Sequence, residues 1–433
     1  MASEWQEVTV EDACSLVVDC PHSTPVWTES GVVVIRNTYL KNGRMDLSNP
    51  SYTDEEHYLD RVRRAVPQAG DLVISREAPI GEIAMIPEGL RACLGQRVVL
   101  LRPNDSICDG KFLLYSFIGG ELRDEIMSHE GTGSTVSNLR IPSLKAARVK
   151  LPPLPIQRQI AAILSAFDDK IELNRQMNRT LEQMARALFK SWFVDFDPVR
   201  AKMRGEQPEG MDAATATLFP SELVEVDGRE VPKGWEWVTI DDLYTLQGGS
   251  TPSTANAEFW EGGTLHWTSP KDLSGLDVPF LTTTDKKITE AGTKVISSGI
   301  LPKGTVLLSS RAPVGYLAIA DMPVSINQGY IALTPKTGLG EYFTLNLLQQ
   351  NLEAIKAMAS GTTFPELSKK TFKTFSVLKP KQEVAGAFEN LITGFYEQIR
   401  NNVHEAAHLA QLRDALLPRL LAGEIDLESF NGF

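Results

Sequence analysis

The sequence predicts a mixed α/β protein: two repeated globular domains separated by a pair of long antiparallel coiled-coil helices, with pseudo-twofold symmetry. Three observations predict it. The stretch Trp5-Gln6-Glu7-Val8-Thr9-Val10-Glu11-Asp12 returns as Trp235-Glu236-Trp237-Val238-Thr239-Ile240-Asp241-Asp242, 230 residues later. Each copy alternates short β-like runs with turn signals, and each ends in a long stretch of heptad periodicity. Solenoid units span only ~20 to 50 residues, so each copy here is a whole domain plus a helix.

The repeat stays collinear with small insertions and deletions. Ala78-Pro79-Ile80-Gly81 returns as Ala312-Pro313-Val314-Gly315, Gln96 and Pro103 as Gln328 and Pro335, and Ser134-Thr135 as Thr362-Thr363. In the helical stretches Phe167, Ile171, Asn174, Leu181 and Leu188 answer to Phe395, Ile399, Asn402, Leu409 and Leu416.

The first globular domain is placed at residues 1–150, with strands expected at Val32 to Ile35, Gly70 to Ser75, Val98 to Leu101 and Ala147 to Leu151 and a helix over Lys111 to Ile126. After Gly70 to Ser75 comes an Ala-Pro-x-Gly turn, whose proline and glycine suit a tight reversal. Residues 151–197 form the first long helix: Ile160, Leu164, Phe167, Ile171, Asn174, Asn178, Leu181, Ala185, Leu188 and Trp192 follow at steps of four and three. The helix itself runs about 37 residues, or ~55 Å at 1.5 Å each, which overruns a small domain. Residues 198–232, rich in glycine, proline and acid with little periodicity, read as a linker or irregular loop. The second domain, 233–380, repeats the pattern, with strands at Lys303 to Ser309 and Ile331 to Thr334 and a helix over Glu341 to Ala359. Residues 381–433 hold the second long helix, with Phe388, Ile392, Phe395, Ile399, Asn402, Ala406, Leu409, Arg413, Leu416 and Leu420 in the same register. Asn174 and Asn402 on the seam weaken packing but pin register.

Composition is that of an ordinary soluble chain, 42% hydrophobic and 23% charged. No run approaches the ~18 apolar residues of a membrane span, and Met1 to Val18 lacks a basic region followed by an apolar one, so a cytoplasmic protein is expected. Cys14, Cys20, Cys93 and Cys108 show no C-x-x-C spacing and lie in the first copy alone, which points to reduced, packing thiols. The net charge of -12 argues mildly against nucleic acid. The acid is concentrated outside 233–380, however, which carries 13 basic and 13 acidic residues. Basic clusters stand at Arg61, Arg63 and Arg64, at Lys286, Lys287 and Lys294, and at Lys369, Lys370 and Lys373.

His404-Glu405-Ala406-Ala407-His408 matches H-E-x-x-H, in which two histidines one turn apart hold zinc and the glutamate acts as base. Ala406 and Leu409 belong to the heptad seam, which puts both histidines on the flanks of a coiled-coil arm, and the first copy lacks the motif. A zinc peptidase is therefore the weaker alternative. Neither Gly131-Thr132-Gly133-Ser134-Thr135 nor Gly248-Gly249-Ser250-Thr251-Pro252 continues into Gly-Lys-Ser/Thr, and no G-x-S-x-G elbow occurs. No catalytic residue and no metal site is assigned to this chain.

Gln247-Gly248-Gly249-Ser250-Thr251-Pro252, Trp267, Ala312-Pro313-Val314-Gly315 and Asn327-Gln328-Gly329 together resemble a target recognition domain of the type I restriction-modification specificity subunits. Leu151-Pro152-Pro153-Leu154-Pro155-Ile156-Gln157, the run Ala187 to Phe196 and the run Leu412 to Leu421 resemble that family's central and distal shared regions. The resemblance covers essentially the whole chain. It departs in the first copy, where Leu94-Gly95-Gln96 replaces Ile326-Asn327-Gln328 and Gly248 to Pro252 has no close counterpart.

The resemblance implies a non-catalytic DNA-binding subunit. Each globular copy would read one half of a split, asymmetric sequence, and the helix pair would set the spacer. It implies two modification subunits docked on the helices, supplying S-adenosylmethionine and adenine methylation, and optionally two restriction subunits using ATP and Mg; no cofactor is expected in this chain. Candidate DNA contacts are Thr251, Trp267, Ser269, Lys271, Arg311, Gln328, Thr362, Thr363 and Lys369 in the second copy, and Arg36, Asn37, Lys41, Arg76, Gln96, Ser134 and Thr135 in the first. Arginine can pair twice with guanine and glutamine with adenine, while Thr, Ser and Lys more often hold phosphates. Tracts that differ between copies, Thr53 to Arg64 against Leu281 to Lys294, are the better specificity candidates. The competing reading is a coiled-coil scaffold that binds proteins alone.

Overall fold

The computed structural model describes residues 5–128, 138–336, 338–361, 365–425 and Leu427. The chain divides into two compact units, Met1–Glu172 with Ala406–Phe433, and Leu173–Glu405.

In the first unit Gln6–Thr9 pairs antiparallel with Arg148–Leu151, tying the ends of the globular copy together. Thr9 then caps the short helix Val10–Ala13 in a reciprocal box with Asp12. A four-stranded antiparallel sheet follows in the order Cys14–Asp19, Val98–Pro103, Leu72–Ser75, Ile83–Met85. A second sheet sets Val32–Ile35 between Tyr52–Thr53 and Ala92–Leu94, parallel to the latter. All four residues of Leu72–Ser75 are buried because both faces of the sheet are covered. Leu72 and Ile74 face a core with Phe112 and Phe117 of the helix Gly110–Ile118, while Val73 packs with Ile35 and Leu94. Alternation along a strand thus feeds two cores, each such side chain contributing about 1.5–3 kcal/mol on burial.

The second unit repeats this plan by itself. Glu236–Thr239 pairs with Ser376–Lys379, Thr239 and Asp242 form the same capping box, and the main sheet runs Tyr244–Gln247, Tyr330–Pro335, Val306–Ser309, Leu317–Ala320, Phe280–Leu281. Its small sheet sets Leu265–Thr268 between Lys286–Ile288 and Val324–Ile326. The Ala-Pro-x-Gly turns match atom for atom. Ser75 Oγ donates to Pro79 O at 2.7 Å and accepts from Glu82 N, as Ser309 Oγ does to Pro313 O at 2.8 Å and from Tyr316 N. Both Ala-Pro bonds are cis, and Gly81 and Gly315 take φ of 75° and 110°, a region glycine enters without steric cost.

The helices expected over Lys111 to Ile126 and Glu341 to Ala359 each break once. The extended Gly119, followed by Gly120 at φ 72°, separates Gly110–Ile118 from Gly120–Ser128, and Asn351 separates Glu341–Gln350 from Leu352–Ala357. The segment 198–232, where little periodicity is legible, carries the helices Asp197–Met203 and Ala213–Leu218 and the hairpin Leu223–Val226 with Arg229–Pro232. Val199 and Phe219 enter the second unit's core, so this segment is anchored by isolated apolar residues rather than by a repeating stripe.

The long helices are Leu154–Phe193 and Gln382–Leu421, 40 residues each. The second continues through Pro418 for its last turn. In the first unit Ile160 and Leu164 share a core with Leu417 and Leu420. In the second, Asn178 meets Asn402 while Phe189 meets Phe388, so the helices pair antiparallel. Ile171, Asn174, Ile399 and Asn402 of the seam are buried, whereas Phe167, Leu181, Leu188, Phe395, Leu409 and Leu416 are half-buried. Phe189, Tyr396 and Leu417, one position on, are buried instead. A straight helix drifts against a strict seven-residue repeat, and each helix also packs on a globular core, which widens the buried stripe.

Candidate nucleic-acid interface

In the second unit two of the sequence motifs converge on the strand Val324–Ile326. Ser250 N donates to Ile326 O at 3.2 Å, and a Cβ on Gly249 would lie 1.8 Å from that same oxygen, so only glycine lets the loop approach this closely. Thr251 Oγ1 then donates to Gln328 Oε1 at 2.7 Å, joining the Gly248 to Pro252 loop to Asn327-Gln328-Gly329 at the surface. Trp267 is buried; its indole N–H reaches Ser250 O at 3.4 Å, and Trp260 packs edge-on against it at 5.2 Å. Lys286 Nζ stands 5.6 Å from the Trp260 ring centre and 5.9 Å from that of Trp267. Ser269 caps the helical turn Pro270–Leu273 through Asp272, and the buried Tyr330 hydroxyl donates to Ser269 O at 2.6 Å. Burial pushes the Tyr330 phenol up, so it remains a neutral donor.

Lys271 is exposed and faces Asp285 at 3.2 Å. Arg311 is half-buried, its backbone in an antiparallel β-bridge with that of Glu366, and Lys369 is exposed at the start of the short helix Lys369–Lys373. Thr251, Trp267, Ser269 and Gln328 therefore gather around one loop cluster. Thr362 and Thr363 lie outside the described residues, as do Ser134 and Thr135.

The first unit divides its candidates differently. Arg76 is held by both carboxylate oxygens of Asp19, at 2.9 and 3.0 Å, and by Leu139 O. Asn37 donates to the carbonyls of Glu77 and Ala78, and Gln96 donates to His22 O at 2.9 Å. These three side chains hold backbone or bury charge. Within the tract Thr53 to Arg64, Arg61 is buried and donates to Leu94 O at 2.8 Å and Gly95 O at 3.2 Å. Lys41 and Arg36 are exposed, and the Arg36 guanidinium lies 5.5 Å from the ring centre of Trp27. Trp27 and Trp260 were not singled out from sequence; the signal was their common spacing ahead of the strands that follow them.

The H-E-x-x-H residues make other bonds. His404 Nε2 meets Asp321 at 2.7 Å, and Glu405 accepts from Asn174 at 2.7 Å. Asp321 also faces Lys303 and Arg400, each at 2.9 Å. Among the described residues no cluster of three His, Cys, Asp or Glu side chains is placed to hold a metal. No described helix is long and apolar enough to cross a membrane. The four cysteines are free and buried, and burial pushes the thiols of Cys14 and Cys93 up to about 12 and about 11.

Residues 2–183 and 232–404 match the family described as the type I restriction modification DNA specificity domain. The chain is 32% identical over 409 residues to the HindI type I restriction enzyme specificity subunit of Haemophilus influenzae, spanning 84% of this chain and 88% of that one. It is 28% identical over 400 residues to the MjaIX specificity subunit of Methanocaldococcus jannaschii, spanning 88% and 86%. Its fold is similar to the crystal structure of a type I restriction-modification S subunit from M. genitalium, with a TM-score of 0.54 at 16% identity over 96% of each chain. With two matched copies that share a four-strand order, extended in the second by Phe280–Leu281, this chain belongs to the type I restriction-modification DNA specificity family.

Proposed function

We propose that this chain selects the DNA site for a cytoplasmic type I restriction-modification complex and leaves the chemistry to its partners. Residues 1–150 and 233–380 are the two target recognition domains, each taking one half of a bipartite, asymmetric sequence. The helical segments 151–197 and 381–433 set the spacer and dock two modification subunits, with 198–232 joining the copies. The modification subunits carry S-adenosylmethionine and methylate adenine; any restriction subunits bring ATP and Mg. The observation that carries this reading is one four-strand order built twice with unlike side chains around it, Arg36 beside Trp27 in one copy and Lys286 beside Trp260 and Trp267 in the other. Two related but unequal surfaces suit two unequal half-sites, since sequence is read by side chains at base edges while common contacts hold the backbone.

The test is to co-express the chain with its modification subunit and map adenine methylation across a genome. One bipartite motif with a fixed gap is expected, changing in one half alone when residues 233–380 are exchanged. An assembled complex whose modification subunit binds S-adenosylmethionine but leaves no methylated motif would favour a protein scaffold.

A further inference from the structure

We infer that Arg36, carried on the Trp27 ring, is a base-reading side chain of the first copy, and that it reads the guanine of a G·C pair. The inference rests on the DNA-recognition reading above. Three of the polar first-copy candidates are occupied: Arg76 by Asp19, Asn37 by the Glu77 and Ala78 carbonyls, Gln96 by His22 O. Arg36 is exposed, and its described contacts are the face of Trp27 and a 3.5 Å hydrogen bond to Ser51 Oγ. That leaves most of the guanidinium fork available. Trp27 is 47% exposed, so part of its ring stays open to a ligand beside the guanidinium.

The pair borders a cleft of about 540 Å³ whose wall also holds Glu29 and Asn49. A guanidinium fork matches O6 and N7 of guanine, and a carboxylate accepts from the amino group of its paired cytosine. Stacking on the indole restricts the arginine before DNA arrives, which lowers the ordering cost of the contact.

The second copy supplies independent support. Trp27 stands five residues before the strand Val32–Ile35, and Trp260 five residues before Leu265–Thr268; these two strands pair in parallel with Ala92–Leu94 and Val324–Ile326 respectively. The tryptophan recurs at the equivalent place, but the cation beside it is Lys286, from the neighbouring strand Lys286–Ile288. An equivalent aromatic platform carries a forked cation in one copy and a point charge in the other, as recognition of unlike half-sites requires.

The experiment uses the co-expressed complex with its modification subunit and duplexes carrying its methylated motif. Each guanine of the half assigned to residues 1–150 is replaced in turn by 7-deazaguanine, which removes the N7 acceptor. One position is expected to weaken wild-type binding roughly 10- to 100-fold. Arg36→Ala, and Arg36→Gln with its longer neutral side chain, should bind native and substituted duplexes equally, while recognition of the other half is retained and reports a folded complex. The inference is overturned if that half contains no sensitive guanine, or if the variants bind all sequences more weakly but still discriminate. A wild-type complex with no motif at all would instead overturn the recognition function itself.

Discussion

Asn402 Nδ2 donates to Asn178 Oδ1 at 2.8 Å across the helix pair, in a layer buried from solvent. Gln398 donates to Asn402 Oδ1 at 2.7 Å, and Asn174 Nδ2 donates to Glu405 at 2.7 Å, so the polar layer extends over two turns of the second helix. Sliding one helix along the other would strand these groups without partners.

Asn402→Ala should therefore destabilise the protein by about 1–3 kcal/mol, the cost of leaving buried amides unpaired. The paired change of Asn178 and Asn402 to Leu should recover stability in chemical denaturation. It should also blunt the fixed gap of the methylated motif, because an apolar seam tolerates more than one register.

Gly249→Ala places a methyl against Ile326 O, a backbone atom that cannot move aside. The loop must shift, breaking the Thr251–Gln328 hydrogen bond. Methylation mapping should show degraded recognition in the second-copy half alone. Gln328→Ala, which removes an exposed bond, should produce the recognition defect with little change in Tm.

Glu182, on the first long helix, has its pKa raised to about 7, chiefly by burial and further by Asp277, against the lowering effect of Arg186. The folded state then keeps a proton that the unfolded state releases above its ordinary value of 4.5, so stability falls as pH rises from 4.5 towards 7 and levels off beyond. Glu182→Gln should match wild type at pH near 4.5 and exceed it at pH 8 by at most about 3 kcal/mol. Melting curves at the two pH values check the sign.

Met184 and Leu412 occupy equivalent places in the two helical repeats and are 45% and 40% exposed. Gln183 and Gln411 beside them are also exposed. One exposed apolar residue offered at the same place in each helix fits the proposal that two copies of one partner dock on the helices. Met184→Glu and Leu412→Glu should each leave the isolated chain as stable as wild type, within about 0.5 kcal/mol, yet yield a complex with one modification subunit, read by mass in solution.

The repeat, the Ala-Pro-x-Gly turns, the strand runs and both long helices were legible in the sequence alone. Each depends on neighbours a few residues away: alternation marks a strand, steps of three and four mark a helix face, and glycine after proline marks a turn. The fate of the candidate contacts was decided only by tertiary structure. Arg76 and Arg36 look alike in sequence, but a carboxylate 57 residues away neutralises the first while a tryptophan ring supports the second. Likewise Trp267 is buried and Trp260 covers it, and the seam drifts from Leu188 to Phe189. A side chain's partner is set by segments distant along the chain that carry no periodic signal, so what is free to meet DNA emerges only when the sheets and helices have packed.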